Sequence, residues 1–309
     1  MPVYLPIAEM SVDALSVILL GAVTGLLSGM LGVGGGFIMT PMLIFLGIPP
    51  SIAVASSANQ IIASSVSGFF AHLRRQNVDF EIGTLLLAGG IAGSGLGVWL
   101  FDALSKIGQI DLVISVCYVV FLGGIGGLMV VESLKAILQS RKPERPLFHK
   151  RRRMAKWMRP LPLRLRFKRS GLYMSVLVPI TIGFVVGVMV SMMGVGGGFI
   201  TIPAMIYLLR MPTSVVIGTS LYQIIFLTAN VTFLHAITTH TVDIVLAFLL
   251  LIGAVFGAQL GMRISNRMPT EYLRGILALL VLGMSMQLLA SLLMQPDDLY
   301  TISLESYKK

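Results

Sequence analysis

Charge is scarce in this 309-residue chain. Charged residues make up 12% of the sequence, whereas apolar residues make up 56%. A soluble domain with this composition would expose a large apolar surface, so an ordinary soluble fold is excluded. Cysteine occurs once, at Cys117. A single cysteine excludes an intramolecular disulfide and a cysteine-rich metal site.

Reactive groups are also missing from the apolar parts of the sequence. No Asp, Glu, Lys or Arg lies well inside any long apolar run, and there is no GxxxxGK[ST] phosphate loop. A membrane hydrolase needs carboxylates, a metal cluster or a nucleophile beside a base, and an ATP-driven chain needs the phosphate loop. We therefore expect neither an enzyme nor a bound cofactor or metal.

Apolar runs of the length that crosses a bilayer recur along the chain. The N-terminus has no basic segment before the first run, so that run is expected to be retained. The prediction is an all-α, multi-pass integral membrane protein with about eight full spans plus two short segments. The eight runs are Ala14–Ser28, Ile52–Ala71, Ile82–Phe101, Leu112–Val131, Leu172–Val190, Ser214–Leu234, Ile244–Met262 and Gly275–Met294.

The sequence contains an internal duplication. MLGVGGGFIMTP at Met30–Pro41 matches MMGVGGGFITIP at Met192–Pro203, at an offset of 162 residues. Further along, Ser57, Gln60 and His72 align with Ser220, Gln223 and His235, and Gly89, Gly93 and Gly97 align with Gly253, Gly257 and Gly261. We predict two transmembrane repeats at residues 1–138 and 171–296, a linker at 139–170 and a polar tail at 297–309.

The net charge of +10 comes from the linker. Between Gln139 and Ser170 lie 13 of the 23 Lys and Arg residues, which predicts a cytoplasmic segment rather than a nucleic-acid site. Arg74 and Arg75 lie in the loop after the second run of the first repeat, and the equivalent loop of the second repeat, Ala236–Asp243, has no Lys or Arg. Arg263 and Arg267 of the second repeat instead lie in the loop that corresponds to the loop Asp102–Asp111 of the first. This swapped charge bias favours inverted repeats over parallel ones, in a cell inner membrane.

Each glycine cluster interrupts an apolar stretch and is followed by a piece of about 11 residues, too few to span a bilayer. The pieces are Phe37–Gly47, which Pro49 and Pro50 close, and Phe199–Leu209, which Pro212 closes. We interpret these pieces as half-helices that return to their own side or complete an interrupted crossing. The clusters serve either close helix packing or anion binding through free backbone N–H groups. The predicted binding residues are Gly34, Gly35, Gly36, Gly196, Gly197, Gly198, Ser57, Gln60, Ser220 and Gln223.

Other recurring residues have simpler interpretations. The glycines spaced by four residues in later runs are expected to be packing seams. The hydroxyl and amide residues either bind the anion or form hydrogen bonds between helices. His72 and His235 either couple transport to protons or are interfacial residues. Asp79 and Asp243 are expected to be caps or solvated anchors at loop ends.

The segments SGMLGVGGGFIMTPML at Ser28–Leu43 and SMMGVGGGFITIPAM at Ser191–Met205 resemble the TauE/SafE, or sulfite exporter, family. The resemblance covers both repeats and implies a multi-pass permease of the inner membrane. It also implies a substrate among sulfur oxyanions and small organic acids, such as sulfite, sulfoacetate or thiosulfate. The long basic linker is a departure from the family pattern.

The resulting hypothesis is that the chain is a secondary transporter for a small anion. We expect it to lie in the lipid bilayer and to have no nucleic-acid partner. The sequence leaves its oligomeric state open. Two half-helices from opposite sides would hold the substrate, and rocking of the two halves would alternate its access. An anion channel and a membrane subunit that docks a soluble partner through the basic linker are the alternatives.

Overall fold

The computed structural model describes residues 2–31, 34–139, 164–167, 170–209, 211–265 and 270–293, and these residues form two similar sets of elements. The first set is β1 (Pro2–Leu5), β2 (Met10–Asp13), α1 (Ala14–Leu31), α2 (Gly36–Phe45), α3 (Pro50–Arg74), α4 (Phe80–Lys106) and α5 (Ile110–Gln139). The second is β3 (Arg164–Phe167), β4 (Leu172–Ser175), α6 (Leu177–Met193), α7 (Gly198–Pro203), α8 (Thr213–Thr238), α9 (Ile244–Ser265) and α10 (Thr270–Leu293). A π-helix, Ala204–Leu208, continues α7.

One antiparallel hairpin precedes the first helix of each set, and neither hairpin was predicted. Pro2 pairs with Asp13 in one hairpin, and Arg164 pairs with Ser175 in the other, so the hairpins keep the 162-residue offset. Strand β3 lies inside the segment predicted as linker, and the predicted boundary at residue 170 falls in the β3–β4 turn. The rest of that linker, residues 140–163 and 168–169, and the predicted tail at 297–309 lie outside the described residues.

The short helix α2 folds back along α1. A Cβ placed on Gly35 would be 2.9 Å from Ser28 Cβ, and Thr24 Oγ1, one turn earlier in α1, lies 3.9 Å from Met39 Sδ. In the second set, Gly197 lies against Val186 and Val190 of α6. This packing agrees with the interpretation in which each half-helix returns to the side from which it came, and the placement of the half-helices in a membrane stays a prediction.

Two glycine-rich seams join helices from different sets. A Cβ on Gly93 of α4 would be 2.0 Å from the Phe184 carbonyl oxygen of α6. A Cβ on Gly257 of α9 would be 2.0 Å from the Ala22 carbonyl oxygen of α1. Successive glycines meet successive turns of the partner, so both pairs run parallel, and the predicted packing role of these glycines is confirmed.

Helices α3 and α8 form the centre of the molecule and run antiparallel. Asp79 follows α3, and its N–H donates to Thr219 Oγ1 near the start of α8 at 2.9 Å. Asp243 follows α8, and its N–H donates to Ser56 Oγ near the start of α3 at 3.0 Å. Helices α5 and α10 also pack antiparallel, with Ser285 Oγ donating to the Val119 carbonyl. Each of these two pairs joins helices at equivalent positions of the two sets.

The distribution of polarity is that of a membrane protein. Large apolar side chains on outer faces are exposed, among them Trp99, Phe256 and Leu279, whereas Ser57, Gln60 and Gln223 are fully buried. Within the described residues, four helical stretches have the length and hydropathy of membrane spans: Phe80–Lys106, Ile110–Leu128, Val215–Thr238 and Ile244–Ile264. The predicted all-α membrane class agrees with this architecture apart from the hairpins, and the count of eight full spans stays a prediction.

Candidate functional site: the meeting of the two glycine turns

The two glycine turns, residues 34–36 in the first set (the first turn) and residues 194–198 in the second set (the second turn), meet at the centre of the molecule. Phe37 and Phe199, which follow the glycines, stack with ring centroids 4.7 Å apart and an interplanar angle of 14°. A Cβ placed on Gly36 would be 2.7 Å from the Gly194 carbonyl oxygen. The sequence could not place the two breaks face to face, and this geometry supplies that relation.

The backbone of both turns requires glycine. Gly34 and Gly35 have φ values of 93° and 68°, and Gly196 and Gly197 both have 76°, all in the left-handed region that side chains disfavour. The Gly36 N–H donates to the Gly34 carbonyl at 2.9 Å, so this predicted anion donor is already used. Within the described residues, the N–H groups of Gly34, Gly35, Gly196, Gly197 and Gly198 have no hydrogen-bond acceptor.

Two glutamines at equivalent positions are buried without partners. Gln60 and Gln223 are 0% exposed, and neither the amide nitrogen nor the amide oxygen of either side chain has a hydrogen-bond partner. A buried amide left unpaired costs about 1–3 kcal/mol, so two at related positions need an explanation. On α3, Gln60 shares a helix face with Ser57 and Ser64. Ser57 reaches the Gly194 carbonyl of the second glycine turn, and Ser64 accepts a hydrogen bond from Ser28, which packs against Gly35 of the first.

The predicted serines are engaged locally. Ser57 Oγ forms a hydrogen bond with Thr40 Oγ1 at 2.9 Å and reaches the carbonyl oxygens of Val54 and Gly194 at 3.0 and 3.4 Å. Ser220 Oγ donates to the Ile217 carbonyl of its own helix at 2.9 Å. Ser57 therefore ties α3 to the second glycine turn, and the unpaired side-chain donors of the predicted set are those of the two glutamines.

Two hydroxyl residues that sequence reasoning missed lie beside the turns. Ser65 Oγ is 3.6 Å from the position of a Cβ on Gly34, and Thr201 Oγ1 is 3.8 Å from that of a Cβ on Gly197. Both residues are 0% exposed and neither hydroxyl has a partner. Their repeat equivalents are Thr228, whose hydroxyl donates to the Ile224 carbonyl, and Met39. The repeat therefore offered a signal for Ser65, whose equivalent also carries a hydroxyl, and none for Thr201.

Ile61 fills the space between the turns in this conformation. Its side-chain atoms lie 3.2, 2.3 and 2.7 Å from the positions of Cβ atoms on Gly34, Gly36 and Gly196. Its repeat equivalent, Ile224, approaches Gly34 at 3.6 Å. A ligand that reaches these glycines has to displace the Ile61 side chain.

Equivalent histidines have different surroundings. His235 is fully buried, with Nε2 2.9 Å from the Ser191 carbonyl oxygen, Nδ1 3.2 Å from Thr239 Oγ1, and the Phe101 ring against its edge. Because a carbonyl only accepts, Nε2 carries the proton. His72 is half-buried, and its Nδ1 has no partner. Neither histidine is in hydrogen-bond contact with the glycine turns, and their role in proton coupling stays a prediction.

No charged side chain belongs to the core of this site. The segments 14–73, 170–209 and 211–242, which supply the atoms nearest to the glycines of both turns, contain no Asp, Glu, Lys or Arg. Tyr118 of α5, also fully buried, donates its hydroxyl to the Met193 carbonyl just before the second turn. The site is therefore built from backbone dipoles, amides and hydroxyls.

The sulfite exporter TauE/SafE family model matches residues 17–288, a stretch that includes both glycine turns and all helices that surround them. The chain belongs to the sulfite exporter TauE/SafE family. Membership of this family makes the chain a membrane transporter of the TauE/SafE type. No solved structure matches this family member significantly.

Relatives of this TauE/SafE chain are named as transporters. It is 27% identical over 283 residues to "Probable membrane transporter protein YunE" of Bacillus subtilis, covering 88% of this chain and 96% of the relative. It is 28% identical over 279 residues to "Probable membrane transporter protein YjnA" of the same organism, covering 89% and 100%. "Sulfite exporter TauE/SafE family protein 3" of Arabidopsis thaliana is 30% identical over 122 residues, covering 38% of this chain and 25% of the relative.

Proposed function

We propose that this chain is a secondary transporter that binds a small anion, a sulfur oxyanion such as sulfite or an organosulfonate or organic acid, between the two glycine turns. The observation that carries the proposal is the pair of buried amides of Gln60 and Gln223, which have no partner and occupy equivalent positions on α3 and α8; the next residue of each helix, Ile61 or Ile224, lies against the glycine turns. Amide N–H groups and helix N-termini stabilise an anion without a buried cation. The TauE/SafE membership supports the transport class.

Inverted repeats are part of this proposal. Helices α3 and α8 are repeat equivalents, since Gln60 matches Gln223, and they run antiparallel. Two halves inserted with the same orientation would place equivalent helices parallel. The antiparallel pair α5 and α10 supports the same interpretation. Half-helices from inverted repeats enter from opposite sides, which suits a site that alternates between two faces of a membrane.

The charges support one cytoplasmic face. Ser170, in the β3–β4 turn, donates to the Asp79 carboxylate, so the hairpin that carries Arg164 and Arg166 lies beside the loop after Arg75. Helix α9, which ends near Arg263, runs in the same direction as α1. Helix α3 is also parallel to α1, because Ser28 late in α1 donates to Ser64 late in α3. These basic residues therefore share a side, as retention of Lys and Arg on the cytoplasmic side of an inner membrane requires.

The test is flux of sulfite and simple sulfonates in proteoliposomes that contain the purified full chain. Gln60→Met and Gln223→Met remove the amide while nearly preserving side-chain volume. Loss of one hydrogen bond to a charged ligand costs about 1.5–3 kcal/mol, so each variant is expected to raise KM by tenfold or more. Saturable flux with counter-flow supports a transporter, and flux without either supports the channel alternative.

Thr228→Val is the matched control. Thr228 is the repeat equivalent of Ser65, but its hydroxyl donates to its own helix backbone at 2.6 Å. The control should keep wild-type KM, whereas Ser65→Ala should raise it. If both glutamine variants fold normally and transport with wild-type KM, the proposed site is wrong. If no anion is moved by the wild-type protein, the proposed function is wrong.

A further inference from the structure

We infer that the site between the glycine turns takes a singly charged oxyanion and rejects dianions of similar shape. The inference rests on the proposed function, and it narrows the substrate class. It starts from the backbone of both glycine turns and from buried groups without a partner: the hydroxyls of Ser65 and Thr201, which lie beside the turns, and the amides of Gln60 and Gln223, which the proposed function assigns to the site.

The first step concerns fixed charge. The helices that begin at the turns or supply the atoms nearest to their glycines are α1, α2, α3, α6, α7 and α8, and they contain one Lys or Arg within their bounds, Arg74 at the last residue of α3. Ser65, beside the first turn, lies more than two helical turns away from it along α3. No cationic side chain among the described residues of these helices is therefore available at the turns.

The second step concerns the backbone. A helix N-terminus is equivalent to roughly half a positive charge, so the start of α2 and the start of α7, which has six residues before its π-helical continuation, supply at most roughly one together. The desolvation cost of an ion grows with the square of its charge, so a dianion costs about four times as much to bury as a monoanion. The electrostatic compensation available matches one negative charge.

The third step concerns hydrogen bonds. Each glutamine amide offers two N–H donors, and Ser65 and Thr201 each offer one O–H donor. A sulfonate or hydrogen sulfite presents three oxygens that these neutral donors can share. Neutral donors orient the oxygens without supplying the second positive charge that a dianion requires. The same donor set therefore serves a monosulfonate and leaves sulfate, thiosulfate and sulfoacetate undercompensated.

The experiment measures competition with sulfite flux in proteoliposomes at fixed pH and ionic strength. Methanesulfonate, a monoanion, is the first competitor, and sulfate, a dianion with the same tetrahedral geometry, is the second. We expect methanesulfonate to inhibit at concentrations at least tenfold lower than sulfate. Equal or stronger inhibition by sulfate overturns the inference and leaves the proposed function intact, whereas the absence of any sulfite flux overturns the proposed function itself.

A charge-insertion variant provides the second measurement. Gln60→Lys adds one positive charge to the site, and the expected result is that the preference for methanesulfonate over sulfate falls by at least tenfold. Asp102→Asn changes a half-buried carboxylate that pairs with Lys106 near the C-terminal end of α4; it is the control and should leave the preference unchanged. If Gln60→Lys folds and keeps the wild-type preference, the inference is wrong. If it does not fold, the wild-type competition decides.

Discussion

Alanine at Gly93 should destabilise the protein far more than alanine two residues later, at Gly95. The added Cβ at Gly93 would lie 2.0 Å from the Phe184 carbonyl oxygen and 2.8 Å from its carbonyl carbon. Both atoms belong to the α6 backbone, so no side-chain rotation can relieve the overlap. The helices have to separate by more than 1 Å, which places the cost at the upper end of overpacking, about 3 kcal/mol.

Gly95 is the matched position on the same helix. A Cβ there meets no atom within 4 Å, so alanine should be neutral or stabilise the helix by up to about 1 kcal/mol. The measurement is the free energy of unfolding in mixed detergent micelles for both variants beside the wild type. The reasoning fails if Gly93→Ala is as stable as Gly95→Ala, because close contact between the α4 and α6 backbones would then not exist in the folded protein.

Other parts of the fold give further predictions. Asp243→Ala should cost about 2–3 kcal/mol of unfolding free energy, because the carboxylate caps α9 at the Leu246 N–H and also accepts from the Ile7 N–H of the first hairpin. The control is Glu81→Ala, at an exposed residue. An equal effect of both changes would contradict the role of Asp243. Tyr118→Phe should cost about 1–3 kcal/mol in the same denaturation assay, because the buried Met193 carbonyl loses its donor. His235→Leu should destabilise the protein by a similar amount, because the buried Ser191 carbonyl loses its donor. The dependence of anion flux on pH should stay that of the wild type. A shifted pH profile would instead assign His235 to proton coupling.

The features that the sequence predicts are those that depend on local pattern. The duplication, the short helices after the glycines and the packing seams all follow from spacing and from the lengths of apolar runs. Spacing also indicates that Gln60 and Gln223 occupy equivalent positions. The Asp79 and Asp243 carboxylates cap α4 and α9, as residues at loop ends before apolar helices are expected to do.

The features that the sequence could not supply depend on contacts between distant residues. Each hairpin has strands of four residues and is held by an aspartate of the other half, so no local signal is strong enough to reveal it. The availability of a hydroxyl depends on its neighbours: Ser65 is unpaired, whereas Thr228 at the equivalent position donates to its own helix. For the same reason His72 and His235, which align, have different hydrogen bonds.

The parallel seams limit how the protein can move. Helix α1 of the first half packs backbone to backbone with α9 of the second, and α4 of the first packs in the same way with α6 of the second. Rocking of one half against the other, the motion expected from the repeats alone, would open both seams and expose their glycines. Close-packed backbones resist such separation, so the alternating access that we propose would have to keep α1 with α9 and α4 with α6. The moving bodies would then be pairs that combine both halves, with the glycine turns attached to α1 and α6 at the place where two such bodies meet.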